Sequence, residues 1–241
     1  MNHLNKIGLA ELKALKENYQ GNLEEAQKKL EEGYPIQYLI GHVDFYNCKI
    51  KVNENVLIPR YETEYLVEKT TKLLKTKNLK TGIDLCTGSG AIAIALKKNL
   101  NIKIDACDIS NLALKIAQEN AQKNNTNIFF FKKDILTEEI EGKYDFIISN
   151  PPYIKENEYT SPETKYEPSI ALYAKDNGLE FYKKIIEISP NVLNKNGIII
   201  FEIGATLGDE IKKIALDTYP KANIIIEKDY NNFNRFMFIE T

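Results

Sequence analysis

The 241-residue chain has no tryptophan, two histidines, two methionines and three cysteines. Each shortage closes off a class of chemistry. His3 and His42 stand far apart, and Cys48, Cys86 and Cys107 form no CxxC pair, so neither a metal site nor a redox dithiol is expected. Two of the cysteines fall in apolar strand-like runs, the usual setting of a buried free thiol. No sign of charge dominates: 32 Lys and Arg face 34 Asp and Glu, a net charge of −2 that offers no broad basic field for nucleic acid. No apolar run reaches the length of a membrane span and no signal-peptide pattern is present, so a cytoplasmic protein is expected. What remains, 43% hydrophobic and 27% charged, is an ordinary globular composition with room for one good core.

Apolar spacing divides the chain into three stretches. Leu4, Ile7, Leu12 and Leu15, then Leu23, Ala26 and Leu30, recur at helical intervals on either side of Gly21-Asn22, which predicts a helical hairpin over residues 1–33. Two such short helices make no independent core and must lean on the rest of the protein. Residues 34–62 shift to short β-like runs (Gln37–Ile40, Val43–Tyr46, Cys48–Val52), a hairpin linker closed by Pro59. From residue 63 a helix over Thr63–Lys75 leads into a β/α alternation. Strands are expected at Gly82–Cys86, Lys103–Cys107, Asn127–Phe131, Tyr144–Ser149 and Gly197–Ile203, with helices at Ala91–Asn99, Leu112–Lys123 and Leu179–Leu193. Continuous apolar strands separated by helices argue a doubly wound, mostly parallel α/β sheet. A helix near Leu207–Thr218 and strands near Asn223–Glu227 and Arg235–Ile239 follow, the last two as an antiparallel terminal pair.

Four features carry chemistry. Asp84-Leu85-Cys86-Thr87-Gly88-Ser89-Gly90 joins the first parallel strand to its helix, where glycines permit a tight turn and close approach of a ligand to the helix N-terminus. Asp108 ends the next strand, about 20 residues on, where an acid accepts both hydroxyls of a ribose; a helix cap is the plainer role. Together they favour an adenosine-containing cofactor without naming it. Asp134, after the third strand, suits an adenine amino group or a turn before Thr137-Glu138-Glu139 equally well.

Asn150-Pro151-Pro152-Tyr153 separates the possible cofactors. It follows the fourth strand and faces the same crevice as the glycine turn. Neither proline donates to a ladder, so the sheet stops there and carbonyls point outward. A hydride-transfer enzyme needs an acid or base at this place, and none is offered. The Asn150 side-chain oxygen and the Pro151 carbonyl suit the two N–H bonds of a planar nitrogen, with Tyr153 against its flat face. That arrangement fits methyl transfer by positioning and by dipoles that stabilise charge developing on nitrogen.

These segments resemble the release factor glutamine methyltransferases, a class I, Rossmann-like family dependent on S-adenosylmethionine. The resemblance rests on Pro35–Gly41, Leu57-Ile58-Pro59-Arg60-Tyr61-Glu62-Thr63-Glu64, Asp84–Ile94, Ser149–Ile154, Tyr166-Glu167-Pro168 with Ala171-Leu172, and Phe201-Glu202-Ile203-Gly204. It implies that Cys86, Thr87, Gly88, Ser89 and Gly90 line the donor, Asp108 holds its ribose, and Asp134 and Ile135 edge its adenine. It implies further that Asn150, Pro151, Pro152 and Tyr153 hold the substrate glutamine, that Asn150 also meets the donor, and that Ile58, Pro59 and Arg60 cover it. An Arg60–Glu62 linker salt bridge is the competing role for that pair. The implied partner is the Gly-Gly-Gln loop of a peptide chain release factor, met by a monomer with a methyltransferase domain over residues 63–241. Three departures stand out: Cys86 replaces a glycine, Tyr61 replaces a proline, and the helical segment before the linker is short. The rival readings are a DNA or RNA base amino-group methyltransferase and a non-catalytic binding module.

Overall fold

Ile-rich strands with no polar face need burial on both sides, and the central sheet supplies it. The computed structural model describes residues 8–156, 158 and 160–241. The chain runs α1 (Leu9–Asn18), α2 (Leu23–Glu31), α3 (Ile36–Ile40), β1 (His42–Phe45), β2 (Cys48–Lys51), α4 (Tyr61–Lys77) and β3 (Thr81–Leu85). Next come α5 (Ala91–Asn99), β4 (Lys103–Asp108), α6 (Asn111–Lys123), β5 (Phe129–Lys132) and β6 (Tyr144–Ser149). Short elements follow: β7 (Ile154–Lys155), 3-10 turns at Pro162–Tyr166 and Ser169–Ala171, β8 (Tyr173–Ala174) and α7 (Lys175–Gly178). The last is a single turn with Asp176 and Asn177 in left-handed conformation. The chain closes with α8 (Glu180–Val192), β9 (Leu193–Glu202), α9 (Gly208–Thr218), β10 (Asn223–Lys228) and β11 (Asn234–Glu240).

The seven-stranded sheet has the order β10-β11-β9-β6-β3-β4-β5. β9, β6, β3, β4 and β5 are parallel, and β11 and β10 add antiparallel at one edge, as the apolar pattern predicts. Alternate side chains sort to opposite faces. Phe146, Ile148, Ile198 and Ile200 pack with Leu66 and Val67 of α4 and the apolar run of α5, whereas Ile147, Ile199 and Phe201 meet Tyr182 and Ile185 of α8 and Ile211 of α9. Both faces of the central strands β9, β6 and β3 are therefore dry, and their ends are the part left free for a ligand.

The N-terminal expectations need two adjustments. Leu4 and Ile7 lie outside the described residues, while Asn22 caps α2 by accepting the backbone N–H of Glu24 at 2.9 Å. Ala26 and Leu30 are buried with Leu15, but Leu23 is exposed. Two buried leucines contribute about 4 kcal/mol, too little against about 1–2 kcal/mol per ordered residue, so the pair leans on Ile36 and Leu39. Those two residues belong to α3, which corrects the expected strand at Gln37–Ile40. A five-residue apolar run does not distinguish the two periods, and Gly41 at φ 79° stops it as a helix would be stopped. The next helix, α4, starts at Tyr61, two residues ahead of Thr63.

The β1–β2 hairpin is tied to α6 by two side chains that mimic a strand. Fully buried Asn120 of α6 accepts Lys51 N at 2.7 Å and donates to Lys51 O at 3.0 Å and to Ser89 O at 2.9 Å. Asn124, one turn on, pairs with Lys49 in the same way. Asn120 thus links the hairpin to the turn before α5. Replacing it with alanine leaves buried backbone groups unpaired, and Asn120→Ala should lower the unfolding free energy in urea by about 2–3 kcal/mol; an effect under about 0.5 kcal/mol would contradict this anchoring.

Candidate active site

Parallel register brings the chemistry to one row. Leu85 pairs with both Cys107 and Ser149, and Ser149 pairs with Phe201. One residue beyond these pairs stand Cys86, Asp108, Asn150 and Glu202, side by side at the carboxyl edge of four strands. A cleft of ≈ 260 Å³ opens there, lined among others by Cys86, Thr87, Gly88, Ser89, Asp108, Asp134, Ile135, Asn150 and Pro152. Gly90, Pro151 and Tyr153 are not among its lining residues.

The turn after β3 is built around Asp108. Its Oδ2 accepts Gly88 N at 2.8 Å and its Oδ1 accepts Ser110 N at 2.9 Å. Ser110 caps α6 by accepting Ala113 N, so Asp108 is released from that role. Each carboxylate oxygen keeps a lone pair for a diol, and burial raises the Asp108 pKa against three opposing backbone N–H groups. Asp84, fully buried behind the turn, accepts the Thr87 hydroxyl at 2.5 Å, and burial pushes it up to about 7. Burial, with Asp108 adding to it, also holds the Cys86 thiol well above its ordinary value, so it stays protonated and inert.

The glycines divide their work. Gly88, at φ 54°, has open space where a side chain would point, which is a cradle for a ligand's approach. Gly90, at φ 79°, faces inward: a Cβ there would stand 3.0 Å from that of Ala117 and 3.1 Å from Ile94 Cδ1. Gly90 therefore packs α5 on α6. Cys86 has φ 60°, a left-handed conformation that glycine adopts freely and cysteine at a cost of about 1–2 kcal/mol.

At the end of β6, Asn150 Nδ2 donates to Thr63 Oγ1 at 3.5 Å, and Thr63 donates to Glu202 Oε2 at 2.7 Å. The Asn150 Oδ1 takes no hydrogen bond from the described residues. Pro151 is buried, and Tyr153 is half-buried among Tyr182, Leu207 and their neighbours. Burial pushes the Tyr153 hydroxyl up to about 12, with Glu202 raising it further and Arg235 and Arg60 opposing. Gly178 and Gly204 leave room for this residue: a Cβ on the first would stand 2.3 Å from Tyr153 O, and on the second 3.3 Å from its ring.

The cleft is covered by segments from two distant parts of the chain. Glu167, buried, accepts Ile58 N at 3.0 Å and pairs with Arg60. The competing Arg60–Glu62 pair is thus not formed; Glu62 instead accepts the Tyr230 hydroxyl at 3.2 Å. Pro59 and Arg60 line the cleft, as do Val56, Leu57, Ile170 and Phe181, while Ile58 is buried behind them. Tyr61 is the first residue of α4, a position where proline also fits. Its ring packs on Tyr65 and Tyr230 instead. Asp134 meets its plainer role, accepting Leu136 N at 3.0 Å and the Thr137 hydroxyl at 2.8 Å, while still lining the cleft. Thr63, Glu202 and Phe181 are among the site residues that the sequence left without a role.

A cradle without a Cβ, an acid poised for a diol and an apolar wall at Ile135 fit an adenosine-containing ligand. Among the described residues no group of three or more His, Cys, Asp or Glu is arranged to hold a metal, and no helix is long and apolar enough to cross a membrane. The two glycines give a contrasting test. Gly90→Ala should cost about 2 kcal/mol of stability in urea unfolding. Gly88→Ala should cost about 1 kcal/mol while weakening binding of S-adenosylhomocysteine at least about tenfold; the reverse pattern would contradict the assignment of the two positions.

The family description "Methyltransferase small domain" matches residues 63–165. Release factor glutamine methyltransferase of Flavobacterium psychrophilum is 44% identical over 215 residues, covering 85% of this chain and 75% of the relative. The protein of that name from Streptococcus pneumoniae is 41% identical, covering 90% and 79%, and that of Bacillus subtilis 38%, covering 85% and 74%. Among solved structures, a methyltransferase from Pyrococcus furiosus superposes with a TM-score of 0.61 at 18% identity, covering 90% of this chain and 98% of that one. The hMettl16 catalytic domain, solved with a MAT2A 3'UTR hairpin, gives 0.65 at 20% identity, covering 98% and 93%. At such identities the structures speak to fold alone, and they share the α/β methyltransferase fold seen here. The sequence relatives go further: with this much identity over most of both chains, the protein belongs to the release factor glutamine methyltransferase family.

Proposed function

We propose that this protein transfers a methyl group from S-adenosylmethionine to the side-chain amide nitrogen, N5, of the glutamine in the Gly-Gly-Gln motif of peptide chain release factors. The observation that carries this reading is the orientation of Asn150: its NH2 is turned to Thr63, leaving Oδ1 for a planar N–H donor beside the Gly88 cradle. The family relatives name the substrate class. The reading gives catalysis to residues 63–241 and part of the cleft's cover to the linker at 34–62. The protein is read as a monomer.

The donor, when bound, supplies an electrophilic methyl group at a sulfonium sulfur. Cys86 to Ser89 line the place for its methionine and ribose portions, Asp108 accepts the ribose hydroxyls, and Ile135 with Asp134 borders the adenine. Asn150 Oδ1 and the Pro151 carbonyl each accept one N–H of the glutamine amide. That grip matters because the amide nitrogen is a weak nucleophile, its lone pair delocalised into the carbonyl. Holding both hydrogens fixes the plane of the amide and aims nitrogen at the methyl carbon, while the two acceptor dipoles stabilise positive charge as it develops. The N–C bond forms as the S–C bond breaks, and the nitrogen then sheds one proton to water without a dedicated base. Tyr153, rooted between Gly178 and Gly204, braces the corner.

A nucleic-acid base would present a similar NH2 group. The charge is balanced overall, and of Arg60 and Lys133, the basic residues that line the cleft, Arg60 is engaged by Glu167, which offers phosphates few cations there. The test is methyl transfer from labelled S-adenosylmethionine to release factor, to its Gln→Ala loop variant, and to tRNA, rRNA and DNA in parallel. Label is expected in the wild-type factor alone; label in nucleic acid, or undiminished label in the Gln→Ala factor, would overturn the reading. Asn150→Ala should lower turnover at least about a thousandfold while leaving donor affinity within a few-fold. Collapse of donor affinity would instead make Asn150 a cofactor residue.

A further inference from the structure

Asn150 works only in one of its two amide orientations. With Oδ1 toward the cleft it accepts a substrate N–H; flipped, it presents NH2 to an NH2 and repels it. Nothing in the Asn-Pro-Pro-Tyr segment itself selects between these, because the backbone is the same in both. The selection comes from outside. Thr63 of α4, 4% exposed, places Oγ1 3.5 Å from Asn150 Nδ2 and 2.7 Å from Glu202 Oε2. Glu202 ends β9, 2% exposed, and Thr63 is its side chain's hydrogen-bond partner. Arg235 does not take that place: its Nε is committed to Asp229 at 3.2 Å and an NH group to the Ile203 carbonyl at 3.1 Å.

We propose that Thr63 and Glu202 form a positioning pair that sets the orientation of Asn150. An ionised carboxylate only accepts, so the single Thr63 proton goes to Glu202. The Thr63 oxygen is left with lone pairs alone toward Asn150, and only the NH2 side of the amide can face it. The Asn150 oxygen is thereby turned to the cleft. This inference rests on the reading that Asn150 Oδ1 grips the substrate amide, and it adds what holds that oxygen in place.

The pair is also sensitive to protonation. Burial raises the Glu202 pKa to about 7; the Thr63 hydroxyl and Arg235 oppose the rise, Glu62 adds to it and Arg60 opposes it. Tyr153 and Tyr182 face the same carboxylate and remain neutral, since burial pushes both hydroxyls upward. When Glu202 gains a proton it becomes a donor to Thr63. The Thr63 hydroxyl is then free to donate to Asn150, which favours the flipped amide. Turnover is expected to fall as pH drops through about 7 and to hold above it.

The experiment compares kcat, KM for release factor and Kd for S-adenosylhomocysteine in the wild type, Thr63→Val, Thr63→Ser, Glu202→Gln and Asn150→Ala, from about pH 6 to about pH 9. Thr63→Val, which removes the hydroxyl at nearly constant shape, should lower kcat at least about tenfold with donor affinity unchanged. Thr63→Ser, which restores the hydroxyl, should recover most of that loss. Glu202→Gln, which cannot ionise, should abolish the acid limb of the kcat profile. Wild-type kcat in Thr63→Val, or an acid limb that survives Glu202→Gln, would overturn the pairing. If Glu202→Gln does not fold, the contrast between Thr63→Val and Thr63→Ser decides. Full activity in Asn150→Ala would overturn the underlying reading instead, so the two failures are distinct.

Discussion

Register among parallel strands is the constraint on which the site depends. Leu85 of β3, Cys107 of β4, Ser149 of β6 and Phe201 of β9 lie in one paired row, and one residue beyond it Cys86, Asp108, Asn150 and Glu202 stand at the site. A slip of one residue in any strand would turn its contribution to the opposite face and disperse the row. Register is held by dry packing on both faces, where Phe146 and Ile148 alternate with Ile147 and Ile200 with Ile199 and Phe201. The core does more here than stabilise. It sets the spacing of groups that belong to different strands.

Around that row the polar contacts share a pattern. Buried polar side chains connect elements that hydrophobic contact alone would leave free to slide. Asn120 joins the hairpin to the glycine turn, Glu167 joins the segment before α4 to the segment after β7, and Thr63 joins α4 to β9 and β6. Each partner lost would leave a buried group unpaired, which costs more than the bond itself contributes. The cost makes these contacts good at fixing one arrangement.

Much of this was readable from the residues in order. The strands of the main sheet and the longer helices from residue 82 onward follow from apolar runs and their spacing, with Tyr144–Ser149 and Ala91–Asn99 matching residue for residue, whereas the short β7, β8 and α7 do not. The glycine turn, Asp108 and Asn150 were legible because each sits at a strand end and carries a group the backbone there does not need. The helix at Ile36–Ile40 was not, since five apolar residues suit either period. Nor was the inward role of Gly90: a glycine signals conformational freedom, not the direction its missing side chain would take. Thr63, Asn120 and Glu202 were silent for a different reason. A polar residue within a helix or at a strand end looks the same locally whether it faces water or a partner 139 residues away, as Thr63 faces Glu202.

That last separation bears on how the protein comes to exist. The contact from Ile58 to Glu167 spans 109 residues, that from Asn150 to Thr63 spans 87, and that from Thr63 to Glu202 spans 139. Each closes a long chain loop, whose entropy must be offset before the contact returns anything. During synthesis, β3 to β6 can pair while β9 is still unmade, yet Thr63 then lacks Glu202 and Asn150 has no set orientation. The protein gains its shape first and its competence last. A chain interrupted before β9 would have much of the fold without the means to act.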